Sequence, residues 1–212
     1  MDRQQLREIC EALPIFPLPR TVLLPGAVLS LHVFEHRYRA LVEHCLAADR
    51  VMGVATLRPG YEADYHGKPE IWPEMGVGEV VSHQPFPDGR CNIVLHSVGR
   101  VRVREELPTE HPFRVVRTEV SEDDDRGLSA ALAALRVLVL QLGGLSPAAA
   151  TEARRLVQLE GMDLVDALAR RLLEEPDDKR AYLGADRLVD RVELIQDRLA
   201  GFFVPTAQAG ES

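Results

Sequence analysis

The feature that most constrains the fold is a change of character at residues 121–126, the acidic run SEDDDR. Before it lie most of the prolines, short β-branched runs and turn signals. After it come long Leu/Ala/Arg/Glu stretches at helical spacing. Strands first and helices afterwards predict an α+β chain built from two subdomains. At 212 residues there is enough chain for one domain or two small ones with a real core.

The strand-rich half is predicted as follows. Residues 1–12 form a lead-in with a short helix. The run LPIFPLP at 13–19 forms an edge or bulged strand, because its prolines cannot donate to a ladder. Pro25-Gly26 marks a turn, and residues 28–33 a strand. From Glu35 the period changes, and Phe34, Tyr38, Leu41, Val42, Cys45 and Leu46 form the stripe of an amphipathic helix. Strands are expected at 51–57, 77–82 and 91–98, the last two joined by an Asp88-Gly89 hairpin turn. Gly99 is expected to break the run. Residues 100–104 then alternate, valines inward and Arg100, Arg102 and Arg104 outward, and 113–120 is the last strand. Six or seven short strands around one helix suggest a closed or partly closed barrel over 13–121.

The helical half spans 122–205. Its first helix carries Leu128, Leu132, Leu135, Val139 and Leu142 on one stripe, thickened by Leu138 and Leu140, and should lie centrally in a bundle. Gly143-Gly144 stops it. Ser146-Pro147 is an N-cap followed by proline at the first helical position. Further helices are expected at 147–160, 163–174, 177–183 and 186–203, with Gly184 as a C-terminal cap. Residues 206–212 read as a disordered tail.

Three stretches resemble the opening of the Lon protease N-terminal (LON substrate-binding) domain family. They are LPIFPLP at 13–19, VLLPG at 22–26 and LHVFEHRY at 31–38, in which Pro25, Gly26, Phe34, Glu35, Arg37 and Tyr38 carry the signature. The similarity continues through 76–81, DGRCNI at 88–93 and GRVR at 99–102, and DLVDALA at 163–169 resembles the start of the family's helical half. It covers roughly residues 13–200. The N-terminal motif is specific, whereas the helical part alone is not. The resemblance implies a PUA-like β pseudo-barrel followed by a helical bundle, acting in recognition of protein or peptide clients and in assembly, with a weak homo-oligomer allowed. On this view the chain is a stand-alone member working in protein quality control.

The family's chemistry does not carry over. There is no G-x-x-x-x-G-K-[ST] phosphate loop. Lys68 and Lys179 are the only lysines, and neither has a serine partner in a recognisable motif. No catalytic residue and no cofactor are expected. The net charge of −8 argues against a nucleic-acid binder. Arg90, Arg100, Arg102, Arg104 and Arg114 could still form a basic β face, and a PUA-like RNA-binding module is therefore the alternative. Three scattered cysteines make neither a disulfide framework nor a zinc site. The charged N-terminus lacks a signal-peptide core and no apolar run is long enough to span a membrane, so the expected location is the cytoplasm.

His32-Val-Phe-Glu35-His36 spells the inverted zincin pattern H-x-x-E-H. Two histidines four apart share a metal only on one helix face, and here a strand gives way to a helix between them. No metal is expected. The best binding candidates are the aromatics Tyr61, Tyr65, Trp72 and Phe86. Three of them lie in or beside a predicted loop at 58–73, longer than most connections. Aromatic side chains dominate binding hot spots, so this loop and the adjacent barrel surface are read as recognising exposed apolar peptide segments.

Overall fold

A computed structural model of the chain describes residues 3–144 and 146–203. The expected tail at 206–212 lies outside the described residues. Contacts divide the chain into two compact units. One holds the residues up to Glu122 together with Lys179–Gly184, and the other holds 123–178 and the residues from 185 onward. Segment 179–184, read from the sequence as part of the helical subdomain, thus belongs with the strands.

The first unit contains helix α1 (Arg3–Ile9), strands β1 (Leu13–Leu18) and β2 (Val28–Val33), helix α2 (His36–Ala47), and strands β3 (Val51–Leu57), β4 (Ile71–Pro85), β5 (Cys91–Leu107) and β6 (Arg114–Val120). The six strands form one sheet in the order β2-β5-β4-β3-β1-β6, and β6 pairs again with β5. The pairing therefore returns on itself through five strands, leaving β2 attached outside that ring to β5 alone.

Strand β1 is not at an edge as its prolines suggested. It pairs with β3 over Ile15 to Leu18 and with β6 over Leu13 to Ile15. Pro14 therefore has a neighbour only on the β6 side and Pro17 only on the β3 side. Each proline sits where a donor is missing from one ladder rather than two. Both faces of β1 and β3 are buried, which explains their continuous apolar runs. Leu13, Ile15, Val51 and Ala55 enter one core with Leu6, Met75, Val77, Val101 and Val116. Phe16, Met52 and Val54 enter another with Val33, Tyr38, Leu41, Val42, Ile93 and Leu95.

Gly99 does not end a strand. Strand β5 runs through it, and the register slips where Val77 pairs with Gly99 but Gly78 with Ser97. The extra residue makes a β-bulge, which bends a long strand without ending it. Nor do the arginines after it all face solvent. Arg100 is only 6% exposed. Its Nη1 donates to the Leu183 carbonyl, and Arg102 Nη2 donates to the Gly184 carbonyl at 3.0 Å. These are the last carbonyls of helix α6 (Pro176–Gly184), which has no intrahelical donors left for them.

The second unit contains α3 (Leu128–Gly143), α4 (Pro147–Leu156), α5 (Gly161–Leu172), the start of α6, and α7 (Leu188–Ala200). Ser146 Oγ accepts from Ala149 N at 3.1 Å with Pro147 at the first helical position. Arg136 donates to the Val157 and Leu159 carbonyls beyond α4. Leu135 and Val139 of α3 are buried, but Leu140 is 50% exposed. The stripe is thus narrower than expected, and α3 keeps an open apolar face.

Candidate functional site

The four aromatics singled out in the sequence are not brought into one surface. Tyr61 opens a short 3-10 turn, and its ring lies 6.2 Å from that of Tyr65. Trp72 is not in a loop at all; it sits on β4, which begins six residues earlier than predicted. Phe86 begins the β4–β5 turn, where its N–H bonds to Arg90 O at 2.8 Å and its carbonyl accepts from Gly89 N at 3.0 Å. Gly89, at φ 81°, supplies the left-handed corner of that turn.

Trp72 is held by two guanidiniums. The Arg58 guanidinium lies 4.6 Å and the Arg180 guanidinium 3.7 Å from its ring centroid. The buried Nε of Arg58 has no hydrogen-bond acceptor, and its guanidinium lies over the ring. Glu74 sits within 4.0 Å of Arg180 and 3.9 Å of Arg102, so the clamp is also an ion-pair cluster. Two such cation–π contacts tie the ring to the fold.

Tyr65 serves a different junction. Its hydroxyl donates to Glu35 Oε1 at 3.1 Å, and its carbonyl accepts from Arg37 Nη2 at 3.1 Å. Arg37 Nε donates to Glu35 Oε2 at 3.1 Å. Burial first, then the Glu35 carboxylate, push the Tyr65 phenol above its ordinary value. Glu35 occupies the N-cap position of α2, yet its side chain makes no cap bond and is spent on Arg37 and Tyr65. Tyr38 stacks on Phe16 at 4.1 Å and donates to Pro17 O at 3.2 Å, and burial pushes its phenol up to about 12.

Beside this junction lies a cleft of about 280 Å³ lined by Pro17, Arg37 and Tyr38, by residues 66–68, and by Thr109 with residues 111–114. The sequence pointed to Arg114 only as part of a basic strand face, and it gave no binding role to Lys68, His111 or Phe113. Their only sequence signal is position beside two turns. His111 stacks on Phe113 at 4.6 Å, and Arg114 donates to Glu106 at 2.6 and 3.1 Å. Burial would raise the Glu106 carboxyl, but the Arg114 bonds outweigh it and hold it below its ordinary value.

A third grouping surrounds β2. Pro25 and Gly26 form the turn before it, with Ala27 N bonded to Leu24 O at 3.0 Å and Gly26 at φ 64°, the geometry of a type II turn. The bond Ser97 N to Ala27 O, with Val28 opposite His96, fixes the alternation along the β2–β5 pair. Val28, Ser30 and His32 fall in the non-hydrogen-bonded pairs, so their N–H and C=O point to the open edge. Among the described residues, no backbone or side-chain group bonds to them there. Their side chains are exposed, Val28 by 64%. Phe34 is 61% exposed; it lies beyond the strand and before the helix, not on the buried stripe of α2 as predicted. The His32 ring links Phe34, at 6.2 Å, to Phe86, at 6.0 Å. The missed signal was charge: residues 21–34 contain no Asp, Glu, Lys or Arg in a chain that is 27% charged.

The zincin-like pattern is dispersed. His32 Nδ1 donates to Asn92 Oδ1 at 2.7 Å, Glu35 is engaged by Arg37 and Tyr65, and His36 is exposed at the start of α2. Among the described residues no group of three His, Cys, Asp or Glu is placed to hold a metal ion. Burial pushes the Cys45 thiol up to about 12 and raises Cys10 and Cys91, so none is a poised thiolate.

The fold and its sequence signature are of the Lon N-terminal type. The family model of the ATP-dependent protease La (LON) substrate-binding domain matches residues 12–201, and the chain belongs to that family. Lon protease 2 of Myxococcus xanthus is 29% identical over 91% of this chain and 24% of its own length. The Lon protease of Anaeromyxobacter dehalogenans is 30% identical over 91% of this chain and 23% of its own. The chain thus spans about a quarter of the length of these curated relatives. Two solved structures share the fold. The N-terminal domain of Mycobacterium avium complex Lon protease superposes with a TM-score of 0.66 at 17% identity, covering 89% of this chain and 98% of that one. A Lon N-terminal domain protein from Xanthomonas campestris gives 0.61 at 24% identity, over 88% and 97%. Among the described residues no helix is long and apolar enough to cross a membrane.

Proposed function

We propose that this chain is a non-catalytic recognition module that captures extended apolar segments of other proteins by adding them as a strand along β2. The observation that carries the reading is the unguarded edge. Exposed edge strands are normally blunted by charge, proline or a bulge. Strand β2, sequence VLSLHV, has none of these and is flanked by the exposed ring of Phe34 and the half-buried ring of Phe86. Membership of a substrate-binding family supports the same reading, and an adaptor role for other proteins' clients belongs to it.

The magnitudes point to a weak, reversible grip. About six main-chain bonds at ~0.5–1.5 kcal/mol each, with two phenyl rings at ~1.5–3 kcal/mol each, must outweigh an association cost of ~4–15 kcal/mol. The gain and the cost are of similar size, so the complex should be weak and reversible. The ring of pairing through β5, β4, β3, β1 and β6 supports a PUA-like pseudo-barrel as the scaffold. The three buried free cysteines suit a reducing, cytoplasmic setting. An RNA-binding use of the arginines is disfavoured by their partners: Arg90 pairs with Asp88 and Arg104 with Glu119.

Fluorescence anisotropy with a labelled peptide of alternating apolar residues tests the proposal. Ser30→Pro removes an outward N–H on an edge strand, where proline is tolerated. It should abolish binding while the thermal transition stays cooperative. Unchanged affinity in that variant would contradict strand addition. A steep fall of single-stranded RNA affinity with salt, with no peptide binding, would favour the nucleic-acid alternative.

A further inference from the structure

The cleft beside the β2–α2 junction has a charge pattern that the chain as a whole does not. Three fixed cations line it, Arg37, Lys68 and Arg114, together with His66 and His111, and none of its described lining residues is acidic. Yet the chain carries a net charge of −8. The two arginines are largely withdrawn from solvent, Arg114 being only 11% exposed, so their charges are poorly screened. Arg37 and Tyr38 lie in the first turn of α2, whose positive end adds to the field. Behind the lining, Glu35 bonds Arg37, and Glu106 bonds Arg114 and lies 3.5 Å from Lys68. Two carboxylates against three cations leave about one positive charge unbalanced, which suits a monoanion better than a phosphate dianion.

The rest of the lining is apolar. Pro17, Tyr38, Pro112 and Phe113 form a slot beside the cations. At about 280 Å³ the space is smaller than sites for drug-sized ligands. It admits a terminal residue and not a folded segment. A polypeptide's last residue carries such a monoanion beside its own side chain. An internal Asp or Glu would bring the charge and leave the slot empty.

We propose that this cleft binds the free C-terminal carboxylate of a peptide whose last side chain is apolar. The proposal rests on the peptide-recognition reading for its biological setting, but it concerns a different surface and fails separately. Arg37 and Arg114 would orient the carboxylate, Lys68 would add charge at the mouth, and Tyr38 and Phe113 would hold the side chain.

The test compares two labelled peptides of the same alternating apolar sequence ending in leucine, one a free acid and the other its C-terminal amide, on the whole chain. The acid should bind about tenfold tighter, as one charge-assisted contact allows. Lys68→Glu, at an exposed position, should erase that difference, leaving the affinity for the amide and the melting temperature unchanged. N-acetyl-leucine should displace the acid's extra affinity, and N-acetyl-leucinamide should not. Equal affinity for acid and amide, both lost in Ser30→Pro, would overturn the carboxylate site and leave strand addition standing. Acid-selective binding that survives Ser30→Pro while the amide no longer binds would support the cleft and leave strand addition standing. Displacement by inorganic phosphate but not by N-acetyl-leucine would overturn the proposal in favour of a phosphate site.

Discussion

Trp72 and Phe34 are both large aromatics in the same strand-bearing unit, and their surroundings are opposite. Trp72 is half-buried, with the guanidiniums of Arg58 and Arg180 over its ring. Phe34 stands 61% exposed at the end of an uncharged edge strand, its nearest ring the exposed His32. The difference teaches where binding is to be sought. An aromatic enclosed by guanidiniums has already used its surface on the fold, whereas a bare ring beside unpaired main chain has kept its surface for something else.

The comparison can be broken by substitution. The largest effect is expected from Trp72→Ala, which removes two cation–π contacts and a half-buried indole. Chemical denaturation should show a loss of about 2–4 kcal/mol. Peptide affinity, measured where the variant is folded, should be unchanged. A stable variant that no longer binds would reverse the roles assigned to Trp72 and Phe34.

Tyr38 extends the enclosed side of the comparison and adds a pH signature. Its phenol titrates near 10 when unfolded and at about 12 in the fold, because burial disfavours the anion. The neutral form is therefore the one the fold retains. The contribution, on the order of 2–3 kcal/mol, is fully present below pH 10 and is lost as pH rises toward 12. Denaturation across an alkaline series should show this loss in the wild type and a shallower one in Tyr38→Phe. Identical alkaline profiles would remove Tyr38 from the enclosed class.

The smallest effect on the fold is expected on the open side. Phe34→Ala combined with Phe86→Ser should change stability by no more than about 0.5–1 kcal/mol. It should nevertheless weaken peptide binding by about a hundredfold or more, the combined worth of two rings at ~1.5–3 kcal/mol each. A large stability loss without a binding defect would make these rings structural.

Much of the architecture was legible because it depends on local pattern. The switch from strands to helices at 121–126, the Pro25-Gly26 turn, the Asp88-Gly89 hairpin and the Ser146-Pro147 cap all act within a few residues. What escaped depends on partners far along the chain. Arg100 and Arg102 alternate with valines as a solvated face would, but they meet the carbonyls of Leu183 and Gly184. Trp72 looked like a loop aromatic because Arg180, which covers it, lies in a helix of the other half of the sequence. Phe34 fits the helical stripe by spacing, yet the helix starts two residues later and leaves it outside. The edge position of β2 follows from the strand order, which periodicity does not encode. Its lack of charge was visible throughout and gained meaning only at an edge.

Amide hydrogen exchange with and without the apolar peptide tests the central claim most directly. Strand addition predicts new protection at the outward amides of Val28, Ser30 and His32, with little change at Leu29 and Leu31, which are already bonded to β5. Protection confined to other surfaces, or none within β2 at peptide saturation, would contradict it.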